Sequence, residues 1–113
     1  MREDDHIRLW HMLDAAREIL IFSEGKSRQD LDTNRMLALA IVKSIEIIGE
    51  AASKVTQETR SAFIGLPWPG IIATRNRLIH TYYDIDLDRV WDTIQVDLPQ
   101  LVKALEKVTK SNS

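Results

Sequence analysis

A chain of 113 residues, 44% of them hydrophobic and 28% charged, has the size and composition of one globular domain and is too apolar for intrinsic disorder. The absence of cysteine excludes disulfides, thiolate nucleophiles and cysteine-ligated zinc together. Fifteen lysines and arginines against seventeen acids leave a formal net charge of −2, so any nucleic-acid phosphate must be met by a few placed arginines rather than by a basic surface.

The N-terminus, Met1-Arg2-Glu3-Asp4-Asp5-His6, lacks the basic-then-apolar profile of a secretory signal. No run of about 18 uncharged apolar residues exists to span a bilayer. The expectation is a cytoplasmic, single-domain protein over residues 1–113, without membrane, metal or cofactor.

From Asp4 or Asp5 to about Phe22, Leu9, Met12, Leu13, Ala16, Ile19 and Leu20 recur at three- and four-residue steps, one face of a helix that Gly25 stops. Ser27 to Thr33 carries the start signal Ser27 with Asp30 and reads as a connector or short turn. A second long helix is expected from about Asn34 to Val55, with the stripe Leu37, Ile41, Ile45, Ile48, Ala52 and Val55 widened by Met36, Ala40, Ile47 and Ala51. So broad an apolar surface marks a central helix. Gly49 within it, costly in a helix interior, points to close approach of a neighbouring backbone.

Thr56 to Phe63 fits a short helix capped by Thr56. Gly65-Leu66-Pro67-Trp68-Pro69-Gly70 breaks the chain, and helicity is expected to resume near Ile71 and continue to about Tyr82. Asp84, Asp86 and Asp88 supply cap candidates for a last helix carrying Leu87, Val90, Trp91, Ile94, Leu98, Leu101, Leu105 and Val108. Pro99 should bend that helix near Gln95, and residues from about 109 to 113 should fray. No strand pattern is evident. The reading is an all-α, up-down bundle of four or five helices.

Reactive groups concentrate in Arg75-Asn76-Arg77-Leu78-Ile79-His80-Thr81-Tyr82-Tyr83. On a helix advancing about 100° per residue, Asn76 and His80 share a face, whereas Arg75 and His80 diverge by about 140°. Two copies across a two-fold axis would bring both histidines and both arginines into one cleft. These groups suit metal-free RNA cleavage: histidine transfers protons near neutrality, and arginine offers a fork of donors to phosphate oxygens. Asparagine could orient the imidazole. Spacing by itself leaves a structural role open and favours it: Arg75 pairing with Glu46 or Glu50, His80 as an interior histidine, Tyr82 or Tyr83 as core aromatics.

Other candidates are weaker. His6 and His11, with Asp14, miss the four-residue step of helical zinc pairs and read as solvent-exposed. Glu46 and Glu50 lack the histidine of a di-iron site. Asp84, Asp86 and Asp88 lack the glycine and distal glutamate of a calcium loop, so capping explains them. Trp10, Trp68 and Trp91 read as packing residues.

Ile47-Ile48-Gly49-Glu50-Ala51-Ala52, then Pro67-Trp68, then Arg75-Asn76-Arg77-Leu78-Ile79-His80-Thr81-Tyr82, in that order, resemble the HepT-like branch of the HEPN superfamily. The likeness runs from about Ile7 to Leu105. It implies a small helical homodimer acting as a metal-independent ribonuclease toxin of a toxin–antitoxin pair, with the motif helices at the dimer interface. It implies Arg75 and His80 as the catalytic pair, and Asn76 at the polar position after the arginine. It further implies an MntA-like minimal nucleotidyltransferase as antitoxin, which transfers AMP from ATP to the motif tyrosine, here Tyr82. Some related proteins are instead non-catalytic partners that bind a nucleotidyltransferase or nucleotide, the alternative reading.

Overall fold

The computed structural model describes residues 1–81 and 84–111; of Arg75, Ile79, His80, Thr81 and Ser111 it describes the backbone alone. In chain order the elements are α1 (Glu3–Ser23), α2 (Arg28–Thr33), α3 (Arg35–Lys54), α4 (Gln57–Ala62), α5 (Trp68–Leu78), β1 (Ile79–Thr81), β2 (Asp84–Ile85), α6 (Leu87–Asp92), a π-helical turn (Thr93–Asp97) and α7 (Leu98–Ser111). The fold is an all-α bundle carrying one minimal antiparallel ladder. Extents of 42 × 27 × 19 Å correspond to helices about 10 Å apart in two layers.

The main anticipated stripes form the core, but Met36 and Ile47, expected to widen that of α3, are exposed. Leu9, Met12, Leu13, Ala16 and Ile19 of α1 are buried against Ile41, Ile45, Ile48 and Ala52 of α3, with Ile94, Leu98, Leu105 and Val108 closing the bundle. Helix α3 is central, packed on one side by α1 and on another by α5. Its start is fixed by the Asn34 side chain, which accepts from the Leu37 N–H at 3.0 Å. Its last carbonyls are capped by Arg60, whose guanidinium donates to Ala52, Ser53 and Val55. Gly25 turns the chain after α1 at φ 73°, a conformation glycine adopts without a Cβ penalty. Ser27 and Asp30 cap α2 through the Ser27 N–H, 2.6 Å from the Asp30 carboxylate.

One polar interaction lies inside this apolar frame. Asp5 is fully buried, and its carboxylate accepts from the Thr56 N–H at 3.1 Å, the Thr56 hydroxyl at 2.5 Å and the Thr59 hydroxyl at 2.7 Å. It thereby ties the first turn of α1 to the chain between α3 and α4. Burial opposes its ionisation, but the Thr56 and Thr59 donors outweigh burial and hold the carboxyl below the usual aspartate range. The sequence pattern does not reveal this role, because Asp5 reads simply as one of three acids opening a helix.

Four expectations need correction. Helix α5 starts at Trp68 rather than near Ile71: Pro69 lies in the first turn, where its missing N–H costs nothing. The same helix ends at Leu78 rather than Tyr82. The β-branched and aromatic run beyond it favours extended chain, Ile79 and Thr81 pair with Ile85 and Asp84, and the Leu78 carbonyl accepts from the Asp86 N–H at 2.8 Å. Pro99 is accommodated by the π-helical turn just before it. The wider turn, in which the Leu98 N–H reaches the Thr93 carbonyl, meets a residue that cannot donate to Gln95. At the C-terminus α7 persists to Ser111, and Thr109 is buried with its hydroxyl donating to the Leu105 carbonyl at 2.8 Å.

Gly49 does face the backbone of α5. A Cβ built there would lie 3.7 Å from the Ile72 carbonyl oxygen and 3.8 Å from that of Ile71, which is ordinary contact. Gly49→Ala should therefore fold normally and gain up to about 1 kcal/mol from helix propensity, read as a raised Tm. Asp5→Ala should lose about 1–3 kcal/mol by stranding buried donors, measured by urea unfolding at pH 7. Because the folded-state pKa of Asp5 is depressed, its contribution is present above the unfolded value of about 3.9 and disappears as pH falls through the folded one. The stability gap between wild type and Asp5→Ala should accordingly narrow under acid.

Candidate functional site

Helix α5 carries the motif because its apolar positions anchor it. Trp68 and Leu78 are buried at its two ends, and Ile71 is buried between them. The Trp68 indole N–H donates to the Phe63 carbonyl at 3.1 Å, fixing the first turn on the preceding loop. Arg77 folds back to donate to the Gly70 carbonyl at 2.7 Å, so this arginine serves the helix start.

Asn76 is exposed and lines an open groove of about 760 Å³. The groove floor is the outward stripe of α3, Lys43, Ile47, Glu50 and Lys54. One wall is α1, through Asp4, Ile7, Arg8 and His11; the other is α5, through Ile72 and Asn76. Arg75 belongs to the same turn of α5 as Asn76, and His80 lies in β1 beyond the helix end; their side chains fall outside the described residues, as do Tyr82 and Tyr83 entirely. The helical-wheel relation between Asn76 and His80 therefore does not apply. The chain leaves helical geometry two residues before His80.

Within the groove several charges are already engaged. Lys54 holds Glu50 at 3.0 Å. The Arg8 guanidinium donates to the Lys54 carbonyl at 3.3 Å and stands 3.9 Å from Asp5. His11 is exposed as expected, but His6 is not. It is half-buried, and its Nε2 accepts from the Trp10 indole N–H at 3.1 Å, with the two rings edge to face.

Asp86 caps α6 by accepting from the Arg89 N–H, and Asp88 pairs with Arg28 at 2.8 Å. Asp86 thus does the capping expected of that acidic run, whereas Asp88 instead ties α6 to α2 through Arg28. Among the described residues no group of three or more histidines and carboxylates could hold a metal ion. No described helix is long and apolar enough to cross a membrane. A second cleft of about 520 Å³ lies between α3, α5 and α7, lined largely by Ile45, Ile48, Leu66, Ile71 and Leu101. Sequence spacing does not single out the first groove, because Lys43 looks like an ordinary surface residue and Ile47 like part of the core stripe until α1 and α5 flank them. The visible signal is the step of three and four residues linking Lys43, Ile47, Glu50 and Lys54.

The sequence profile described as "Ribonuclease HepT-like" matches residues 12–108. A protein of Methanocaldococcus jannaschii named "Putative RNase MJ1380" is 31% identical over 100 residues, covering 88% of this chain and 92% of its own. One of Caldanaerobacter subterraneus named "Putative RNase TTE0752" is 32% identical over 100 residues, covering 88% and 89%. A "Probable ribonuclease HepT" of Thermococcus cleftensis is 29% identical over 82 residues, covering 73% and 74%. No solved structure matches the chain. With the profile covering residues 12–108, from within α1 to within α7, the chain belongs to the ribonuclease HepT-like family.

Proposed function

We propose that the protein is a metal-independent endoribonuclease, the toxin of a toxin–antitoxin pair, and that its active site is completed by a second copy of the chain. The observation that carries this reading is the family match over residues 12–108 together with an intact Arg75, four spacers, His80, one spacer, Tyr82 motif. The chemistry requires a base to take the proton of a ribose 2′-hydroxyl as its oxygen attacks the adjacent phosphorus. It also requires an acid to protonate the departing 5′-oxygen, and positive charge on the phosphorane. His80 from each subunit supplies base and acid, and Arg75 contacts the phosphate oxygens. Asn76, next to the arginine and exposed to the groove, supports the phosphate or the imidazole through its amide.

Neutralisation follows from the same placement. A minimal nucleotidyltransferase antitoxin of the MntA type transfers AMP from ATP to the Tyr82 hydroxyl, releasing pyrophosphate. The added phosphodiester puts negative charge within reach of Arg75, and the nucleoside fills space that RNA needs.

Purified wild-type protein should cleave single-stranded RNA in EDTA, while Arg75→Ala and His80→Ala should each lose at least about 100-fold in rate. Equal cleavage by all three proteins would mean a contaminant or another site. Sedimentation should give a dimer at micromolar concentration; a monomer that still cleaves would remove the shared-site mechanism. With the nucleotidyltransferase and ATP, mass spectrometry should place one AMP on wild type and Tyr83→Phe but none on Tyr82→Phe. Modification that survives Tyr82→Phe and is lost in Tyr83→Phe would reassign the acceptor.

A further inference from the structure

We propose that the groove between α1, α3 and α5 seats the single RNA strand beside the cleaved phosphodiester, with Lys43 and His11 as phosphate contacts and Ile7, Ile47 and Ile72 as the platform for an unstacked base. The inference deepens the ribonuclease reading above and rests on it.

The groove begins where the motif begins: Asn76, adjacent in sequence to Arg75, is part of its wall. Its volume of about 760 Å³ falls in the range of about 300–1,000 Å³ that takes a nucleotide-sized ligand. Apolar surface is left uncovered there, with Ile7 44% and Ile47 38% exposed. Unpaired bases bury their faces on such surface, and backbone phosphates seek nearby cations.

The charges sort in the same direction. Of the three acids lining the groove, Glu50 is matched by Lys54, Glu46 is half-buried and engaged, and Asp4 opens α1, while Arg8 is committed to the Lys54 carbonyl and Asp5. Lys43 and His11 are exposed, and among the described residues no hydrogen bond or ion pair engages either. They stand on the floor and on the α1 wall of one groove, so a strand passing between them meets an ammonium on one side and an imidazole on the other. Asp4, in the first turn of α1, faces the helix N-terminus, where its charge is stabilising. For a chain of net negative charge, Lys43 beside the motif is the kind of placed phosphate contact its composition calls for, and the His11 imidazole adds a polar group opposite it.

The test uses the full chain carrying His80→Ala, so that RNA stays intact, and a fluorescein-labelled single-stranded oligonucleotide read by anisotropy across a salt series. Adding Lys43→Ala should raise Kd about three- to tenfold and lower the salt slope by about 0.7, one phosphate contact. His11→Ala should raise Kd about two- to fivefold. Ile47→Asp should weaken binding most, with the thermal transition checking that it folds. In cleavage assays with the wild-type His80 retained, Lys43→Ala should raise KM for oligonucleotides.

Unchanged Kd and slope in all three variants, while wild type cleaves RNA and His80→Ala does not, would overturn the groove assignment and leave the ribonuclease reading standing. Failure of wild type to bind or cleave any RNA would remove both. A change of sedimentation mass in Ile47→Asp with RNA affinity retained would make the groove a contact between two copies, which also overturns the assignment.

Discussion

The buried carboxylate of Asp5 is the interaction on which the arrangement of helices depends. Helix packing alone fixes α1 against α3 by non-directional apolar contact, which tolerates sliding. The three hydrogen bonds from Thr56 and Thr59 are directional, and they set where α1 begins relative to where α3 ends. Asp4 and Arg8, on either side of Asp5, reach the groove in consequence, and Arg8 meets the Lys54 carbonyl. A shift of α1 along α3 by one helical turn would move the wall carrying Ile7 and His11 by about 5.4 Å relative to the floor. The candidate site thus inherits its shape from a polar contact with no part in the chemistry.

Arg60 serves the other side of the same junction. Its guanidinium gathers three carbonyls at the end of α3, so the chain leaves the central helix in one direction and α4 starts with Thr56 as cap. Together Asp5 and Arg60 make the α3–α4 corner the most tightly hydrogen-bonded part of the described structure outside regular helix. The loop and α5 follow from that corner, and α5 lies against the bare Cα of Gly49.

Much of the fold was legible in sequence because its signals are local. The periodic stripes of α1 and α3 are the core, Asn34, Thr56 and Asp86 are caps, and Ser27 with Asp30 opens α2. What escaped depends on contacts between segments distant in the chain. Asp5 finds Thr56 and Thr59 some fifty residues away, a pairing no spacing announces. His6 looked like a surface histidine because its partner Trp10 was counted only as packing. The end of α5 at Leu78 was missed because apolar positions continue past it. Only the pairing with Ile85 and the Asp86 amide decides for extended chain. For the site, the motif residues were found from their order in the sequence, whereas the groove beside them needed three helices assembled before its residues shared a surface.

The π-helical turn ahead of Pro99 has a consequence for how the last rod is used. An α-helix of uniform period presents one apolar stripe, which wraps slowly and can serve only one neighbour along its length. Inserting a wider turn rotates everything downstream, so the two halves hold independent phases. The earlier half, α6, packs on α2 and α5, while the later half, α7, packs on α1. A single uninterrupted rod thereby braces the motif helix at one end and clasps the N-terminal helix at the other, a division of labour that would otherwise require a loop.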